Sequence, residues 1–451
     1  MKSETSVKIG IVLPEDNRKE IFFKTPSETF YRWESSGAYI PLEKGQTYSI
    51  CQNQTENLLL VLDGKIVAKG GNAAQILSDD SISVESRNAL EVKNIIAGRN
   101  FHWKKEITQN LPGNFLITVK EGHLVLVNIL PLELYIACVA VSEMSPQCPE
   151  ALLKAQMVVA RSWFLAHAEN KHSGWDACND DCCQRYQGIE NLHTQLIPIA
   201  LSTEGQVLIH EDRICDTRYS KCCGGIVEDA SHVWKGTCYP YLTVLWDRDK
   251  QGAPLQPDMS AEEKAIEWIS SAPPCFCSPD AIPYQKLSQY LGKVDTSQNY
   301  YRWEQRYSAS DILELLQKKG GIKDINEVLS LQPLERGNSS RIKKLRIDYL
   351  DRKNQNQSLE ILSEYQIRNL LHPSFLYSSA FFCTEERDSR GHLVSITLKG
   401  AGWGHGVGLC QMGALGMSLQ GYSYESILSH YFPYTVLSQR YSKNGQSPAS
   451  G

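Results

Sequence analysis

Along residues 149–171, apolar side chains return every three to four positions. Leu152, Gln156, Val159, Trp163 and Ala166 share one mostly apolar face, which predicts a long helix running to about Lys171. Pro149 suits its first position, where a missing N–H costs nothing. Before Gly113 the apolar residues fall instead into short runs, at 7–13 and 58–62, that read as strands, with Asp63-Gly64 as a hairpin turn. A second hairpin is predicted from 115–119 and 124–129, joined through Glu121-Gly122. Further on, helices are predicted at 261–269 and 310–319, strands at 343–349, 358–362 and 393–398, a helix from Gln411, and a short one over 424–431. Residues 1–108 read as an accessory β domain.

Length and charge narrow the picture. The chain of 451 residues exceeds what one core usually serves, so two or three lobes are expected. Charged residues make up 22% and hydrophobic ones 42%, as in an ordinary globular protein. A net charge of −5 leaves no basic footprint for nucleic acid. No run reaches the roughly 18–20 apolar residues of a membrane span, and residues 1–7 lack the apolar core of a signal peptide.

Three groups of residues carry candidate chemistry. Glu143, in Val141-Ser142-Glu143-Met144, lies a short turn ahead of the long helix, anchored yet expected to stand outside the regular ladder. In residues 400–414 glycine occupies every second position from Gly400 to Gly408, which suits a bend that approaches another surface closely. Trp403, His405 and Gln411 bring a stacking surface, a titratable ring and an amide into it. No Lys-Ser/Thr pair follows, so this is not a Walker loop. His172, Cys178, Cys182 and Cys183 cluster after the long helix and have the donor types of a tetrahedral zinc site; disulfides or free thiols are the alternatives. Four protein ligands would make such a zinc structural, because a catalytic one keeps an open position. The doublets Cys182-Cys183 and Cys222-Cys223 suit metal or strain better than ordinary disulfides. Cys275 and Cys277, among prolines, either pair with Cys238 or stay free.

These segments together resemble the SpoIID/LytB family of bacterial peptidoglycan-remodelling proteins. The resemblance rests on Val141-Ser142-Glu143-Met144 continuing through 150–156 and Ala160-Arg161-Ser162-Trp163, on Cys183-Gln184-Arg185-Tyr186-Gln187-Gly188, and on 402–414 with 427–432. Tyr219-Ser220-Lys221-Cys222-Cys223-Gly224-Gly225 is a weaker match, since family members often have small residues at the cysteine positions. Residues 130–136 look like the family's lead-in strand and turn. In the metal region the family typically has His-Cys where this chain has Cys182-Cys183, a departure that keeps the ligand type but moves the fourth ligand.

The resemblance implies an α+β fold: a β-rich core, a long helix beside a cleft, and Glu143 meeting the glycine-rich turn there. It divides the chain into a core at 109–246 and 340–440, with a helix-containing insertion at 247–339. It implies a lytic transglycosylase acting on peptidoglycan glycan strands, with Glu143 as general acid and then general base. One carboxylate suffices, because the muramyl C6 hydroxyl attacks internally and no water needs activating. Aromatic walls such as Trp403 and Tyr186 are expected to keep that carboxyl dry. Gln184, Tyr186, Tyr219, Ser220, Gly224, Gly225, Trp403, His405 and Gln411 are the expected glycan contacts. A different role associated with the family is a non-catalytic enhancer that binds and stimulates a cell-wall amidase. Family members usually act outside the cytoplasmic membrane, so an extracytoplasmic location in the cell envelope is expected.

Overall fold

Val7, Ile9 and Ile11 alternate into the interior along the first strand, Ser6–Val12. In the computed structural model, which describes residues 5–99, 104–167, 172–249, 256–291 and 300–441, this strand pairs antiparallel with His123–Pro131 and parallel with Ala177–Cys178. It sits second in a seven-stranded sheet that continues through Asn114–Lys120, Ala73–Ser78, Tyr31–Ser35 and Ala38–Leu42. A six-stranded sheet built from strands between Glu20 and Leu111 shares the same hydrophobic core. Both predicted hairpins form with two-residue loops. Lys120 pairs with His123 across Glu121 (φ 53°) and Gly122 (φ 71°), and Leu62 pairs with Lys65 across Asp63 (φ 49°) and Gly64 (φ 73°). Positive φ at both loop positions is the turn geometry that matches strand twist. The protein is mixed α+β and rich in strand.

The expected boundary at residue 108 is not a break in structure. Ser6–Val12, Tyr31–Ser35, Ala38–Leu42 and Ala73–Ser78 are hydrogen-bonded into the same sheet as 114–131, so one layer of the N-terminal β region is continuous with the start of the core.

Two helices follow the sheet directly. Helix α1, Leu132–Glu143, is buried at every residue from Leu132 to Ser142. This corrects the expectation of a strand and turn at 130–136: only Leu130 and Pro131 belong to the strand. Helix α2, Glu150–His167, is the predicted long helix; its expected end at Lys171 lies outside the described residues. Arg161 of α2 is fully buried and grips Glu133 of α1 with two bonds, Nε to Oε1 at 2.9 Å and a terminal nitrogen to Oε2 at 2.6 Å. Tyr441 Oη and the Gly205 N–H also donate to Glu133, which satisfies the buried charge.

The C-terminal motif folds as its glycines suggest. Strand Leu393–Ala401 runs into the bend, and helices α3, Gln411–Leu419, and α4, Tyr424–Tyr431, follow where predicted. The expected insertion is larger than its 247–339 bounds. Strand Ile325–Arg336 pairs along its length with Ile342–Asp351, and Arg302–Ser308 pairs with Leu393–Ala401. A second hydrophobic core gathers Trp303, Ile312, Ile347, Ile367, Phe381 and Leu398. The boundary at 340 therefore falls inside a hairpin, and much of 340–398 packs with this second core rather than with the first.

Candidate functional site

Glu143 is the last residue of α1, not a residue of a free turn. It sits at the carbonyl end of α1, whose field is opposite to that of a helix N-terminus, with α2 beginning seven residues on. Ser142 holds that end in place: its hydroxyl donates to Cys138 O at 2.7 Å and accepts from the Gln187 N–H at 3.1 Å. The same segment aims the Arg185 N–H at Glu143 Oε1, 3.1 Å away. Tyr219 Oη donates to that oxygen at 2.9 Å, and Lys221 Nζ donates to the Glu143 carbonyl at 3.1 Å. Two donors on Oε1 fix the plane of a half-buried carboxylate.

Strand Tyr219–Ser220 connects this acid to the glycine bend. It pairs in parallel with Leu409–Cys410, and Cys222 and Trp403 exchange backbone hydrogen bonds at 3.0 and 2.8 Å. Glycine is required where the bend touches this strand. Gly402 has φ 78°, and a Cβ there would lie 2.7 Å from Cys222 O; at Gly406, φ 76°, a Cβ would lie 2.2 Å from the Arg341 guanidinium. Glu143, Tyr219, Lys221 and the bend thus form one continuous patch.

Trp403 is half-buried, with Tyr300 and Tyr377 rings 4.9 and 4.8 Å away. His405 is half-buried beside Trp234, centroids 4.8 Å apart. Its Nδ1 accepts from the Val407 N–H at 3.0 Å, and its ring hydrogen-bonds the Tyr219 main chain. Desolvation and the guanidinium groups of Arg368, Arg218 and Arg341 push the imidazole down to about 3. It stays neutral at working pH and props the backbone that presents Tyr219.

Several expected glycan contacts are interior braces instead. Gln184 is 1% exposed, accepting from Tyr135 Oη at 3.2 Å and donating to Ala160 O at 3.2 Å. Tyr186 is 0% exposed and donates to Asn128 Oδ1 at 2.8 Å. Gln411 is 2% exposed and donates to Gln156 Oε1 at 3.2 Å. Side chains whose polar atoms are spent inside the core have nothing to offer a sugar. Gly224 and Gly225 are buried too; a Cβ on Gly224 would lie 2.7 Å from the Gly402 N. Ser220 is buried, and its Oγ has no hydrogen-bond partner among the described residues. Glu143, Tyr219, Trp403 and His405 keep partial access.

Lys221 and the Arg185 N–H were not among the residues singled out, although both stand inside the matched blocks. Asp181 lies just outside one of them. Burial pushes its carboxyl up to about 6, with the Arg185 guanidinium opposing and the Glu143 charge adding to the rise; its side chain still keeps 27% of its surface. A cavity of about 750 Å³, lined by Lys24, Arg87 and His193 among others, does not include Glu143.

At the cysteine-rich turn, His172, Cys178 and Cys183 place their ligand atoms within 4.8 Å of one another, with His172 Nε2 3.1 Å from Cys183 Sγ. Cys182 is exposed and outside that mutual set, although its Sγ is 2.9 Å from that of Cys178. The turn is held by protein as well: Asp180 accepts from the Gly98 N–H at 3.0 Å and the Arg99 N–H at 2.6 Å. His172, Cys178 and Cys183 are a donor set that could hold a metal ion, and Cys182 stands beside it.

The fold is mixed α+β and strand-rich, and comparison with known proteins adds a family likeness. Residues 120–210 match the family described as Stage II sporulation protein, SpoIID, and residues 228–408 match a domain of unknown function, DUF8618. An uncharacterized protein of Brachyspira hyodysenteriae is 26% identical over 322 residues, 71% of this chain and 70% of that protein. The amidase enhancer of Bacillus subtilis is 22% identical over 290 residues, 63% of this chain but 37% of that protein. Residues 120–210 thus carry the SpoIID domain, which supports the likeness to the SpoIID/LytB family. Among the described residues, no helix is long and apolar enough to cross a membrane.

Proposed function

We propose that this protein cleaves peptidoglycan glycan strands as a lytic transglycosylase in the cell envelope. The observation that carries the reading is the Glu143 carboxyl, oriented by Tyr219 and the Arg185 N–H on Oε1 and set against the glycine bend. With Oε1 engaged, Oε2 is the oxygen that exchanges the proton. It protonates the glycosidic oxygen, then takes the proton of the muramyl C6 hydroxyl as that oxygen closes the anhydro ring on C1. The proton returns to the carboxyl, and no water is consumed. Trp403 supplies a stacking face for a sugar, and zinc at His172, Cys178 and Cys183, with Cys182 as fourth ligand, stiffens the turn that leads into Arg185.

The test is incubation with peptide-stripped glycan strands and detection of anhydro-muramyl ends by mass spectrometry. The parent protein is expected to generate them, and Glu143→Gln to generate none while keeping its circular dichroism. Full cleavage by the variant would end the assignment. A second reading, a non-catalytic partner of a cell-wall amidase, is favoured by the name of the Bacillus subtilis relative. Amidase stimulation by both parent and Glu143→Gln, with no glycan products from either, would select it.

A further inference from the structure

Four side chains far apart in sequence meet behind the glycine bend. Cys223 follows strand Tyr219–Ser220, and Asp247 follows the short strand Leu245–Trp246. Cys277 lies in the proline-rich loop of the inserted region, and Cys410 caps α3. Their three sulfurs and one carboxylate oxygen all lie within 4.8 Å of one another, and all four residues are buried. We propose that they form a second metal centre, a closed Cys₃Asp site for a borderline-soft divalent cation of the zinc type.

Spacing supports it first. Cys223 Sγ and Cys277 Sγ are 3.8 Å apart. A tetrahedral ion with zinc–sulfur bonds near 2.3 Å has a sulfur–sulfur edge of about 3.8 Å. Charge supports it next. Asp247 is 0% exposed, and no lysine or arginine forms an ion pair with it among the described residues. A carboxylate in a dry interior is stabilised by bonding directly to a cation, and backbone N–H groups aimed at Cys410, Cys223 and Asp247 offset the net charge of −2 that a dication leaves with three thiolates and one carboxylate.

The surroundings are those of an oriented ligand set. Backbone N–H groups of Cys223 and Gly413 donate to Cys410 Sγ at 3.1 and 3.2 Å, and that of Gly225 donates to Cys223 Sγ at 3.4 Å. Asp247 accepts from the Cys277 N–H at 2.9 Å and from Tyr431 Oη. Such outer hydrogen bonds fix the direction of first ligands and are part of a metal site. Room is kept by glycine: a Cβ on Gly413 would lie 2.4 Å from Asp247 Oδ1. On the next turn of α3, a Cβ on Gly416 would lie 1.9 Å from Phe276 O, so the loop carrying Cys277 rests directly on the helix. Four protein ligands leave no open position, so the ion is structural and ties the inserted loop to the back of the bend.

Full-length protein grown with zinc and purified under reduction is assayed for metal. Cys277→Ser should lose one equivalent relative to the parent. His172→Ala/Cys178→Ser, which dismantles the other cluster, should keep one equivalent, and its cobalt form should absorb in the thiolate charge-transfer region. An unchanged metal content in Cys277→Ser overturns the proposal. So does less than a tenth of an equivalent in the double variant, a measurement that stands even where Cys277→Ser fails to fold.

Discussion

At Glu143 the deciding feature is a single oxygen with two donors. Tyr219→Phe removes one of them and leaves the ring in place. A hydrogen bond to a charged group contributes about 1.5–3 kcal/mol, so kcat/KM for glycan cleavage should fall by roughly ten- to a hundredfold. An unchanged rate would show that Tyr219 does not orient the acid. His405 gives a pH signature. Free imidazole titrates near 6.5, whereas the folded ring stays neutral down to about 3. Between these values the unfolded chain binds a proton that the folded one refuses, so folding stability falls as pH drops through that window. Urea midpoints at pH 7, 5 and 4 should fall less steeply for His405→Gln than for the parent; parallel slopes would contradict the assignment. Glu143 and Tyr219 each stand in a motif singled out from sequence, and the fold joins them by a hydrogen bond. Gln184, Tyr186 and Gln411 sit in equally clear motifs yet serve the interior, because a motif does not record which way a side chain turns.

Among the elements, the hairpins and the helices α2, α3 and α4 were legible from turn residues and apolar spacing. Helix α1 was not. Apolar all round, it has no polar face to set a period, and an unbroken apolar run reads equally as strand or helix. Its position follows from the Arg161–Glu133 clamp, whose two halves lie 28 residues apart. Removing one partner of a buried pair leaves an uncompensated charge that costs about 3–5 kcal/mol. Arg161→Ala should lower the urea midpoint accordingly, and a loss below 1 kcal/mol, as for an exposed pair, would show that the clamp is not holding α1 against α2. Of the Cys₃Asp cluster, only Cys223 was announced, by its doublet with Cys222; the other ligands come from distant segments, and no local spacing brings them together.

For the molecule as a whole, the described residues form two large hydrophobic cores and a third, small cluster, and the second core draws its residues from 303–398. Multi-core proteins depart from all-or-none unfolding. Calorimetry should therefore give an enthalpy larger than the van't Hoff value from the same scan, and equality of the two would mean that the cores melt as one. The domain boundaries drawn from sequence missed this because hydrogen bonding between strands ignores composition. The strand Ser6–Val12 carries a practical corollary. It is the ribbon to which both His123–Pro131 and the segment bearing Cys178 are stitched, so trimming the chain to its recognisable motifs would unzip two neighbours and leave raw, adhesive margins. Grafts and chimaeras among relatives must transplant this opening ribbon together with the acid.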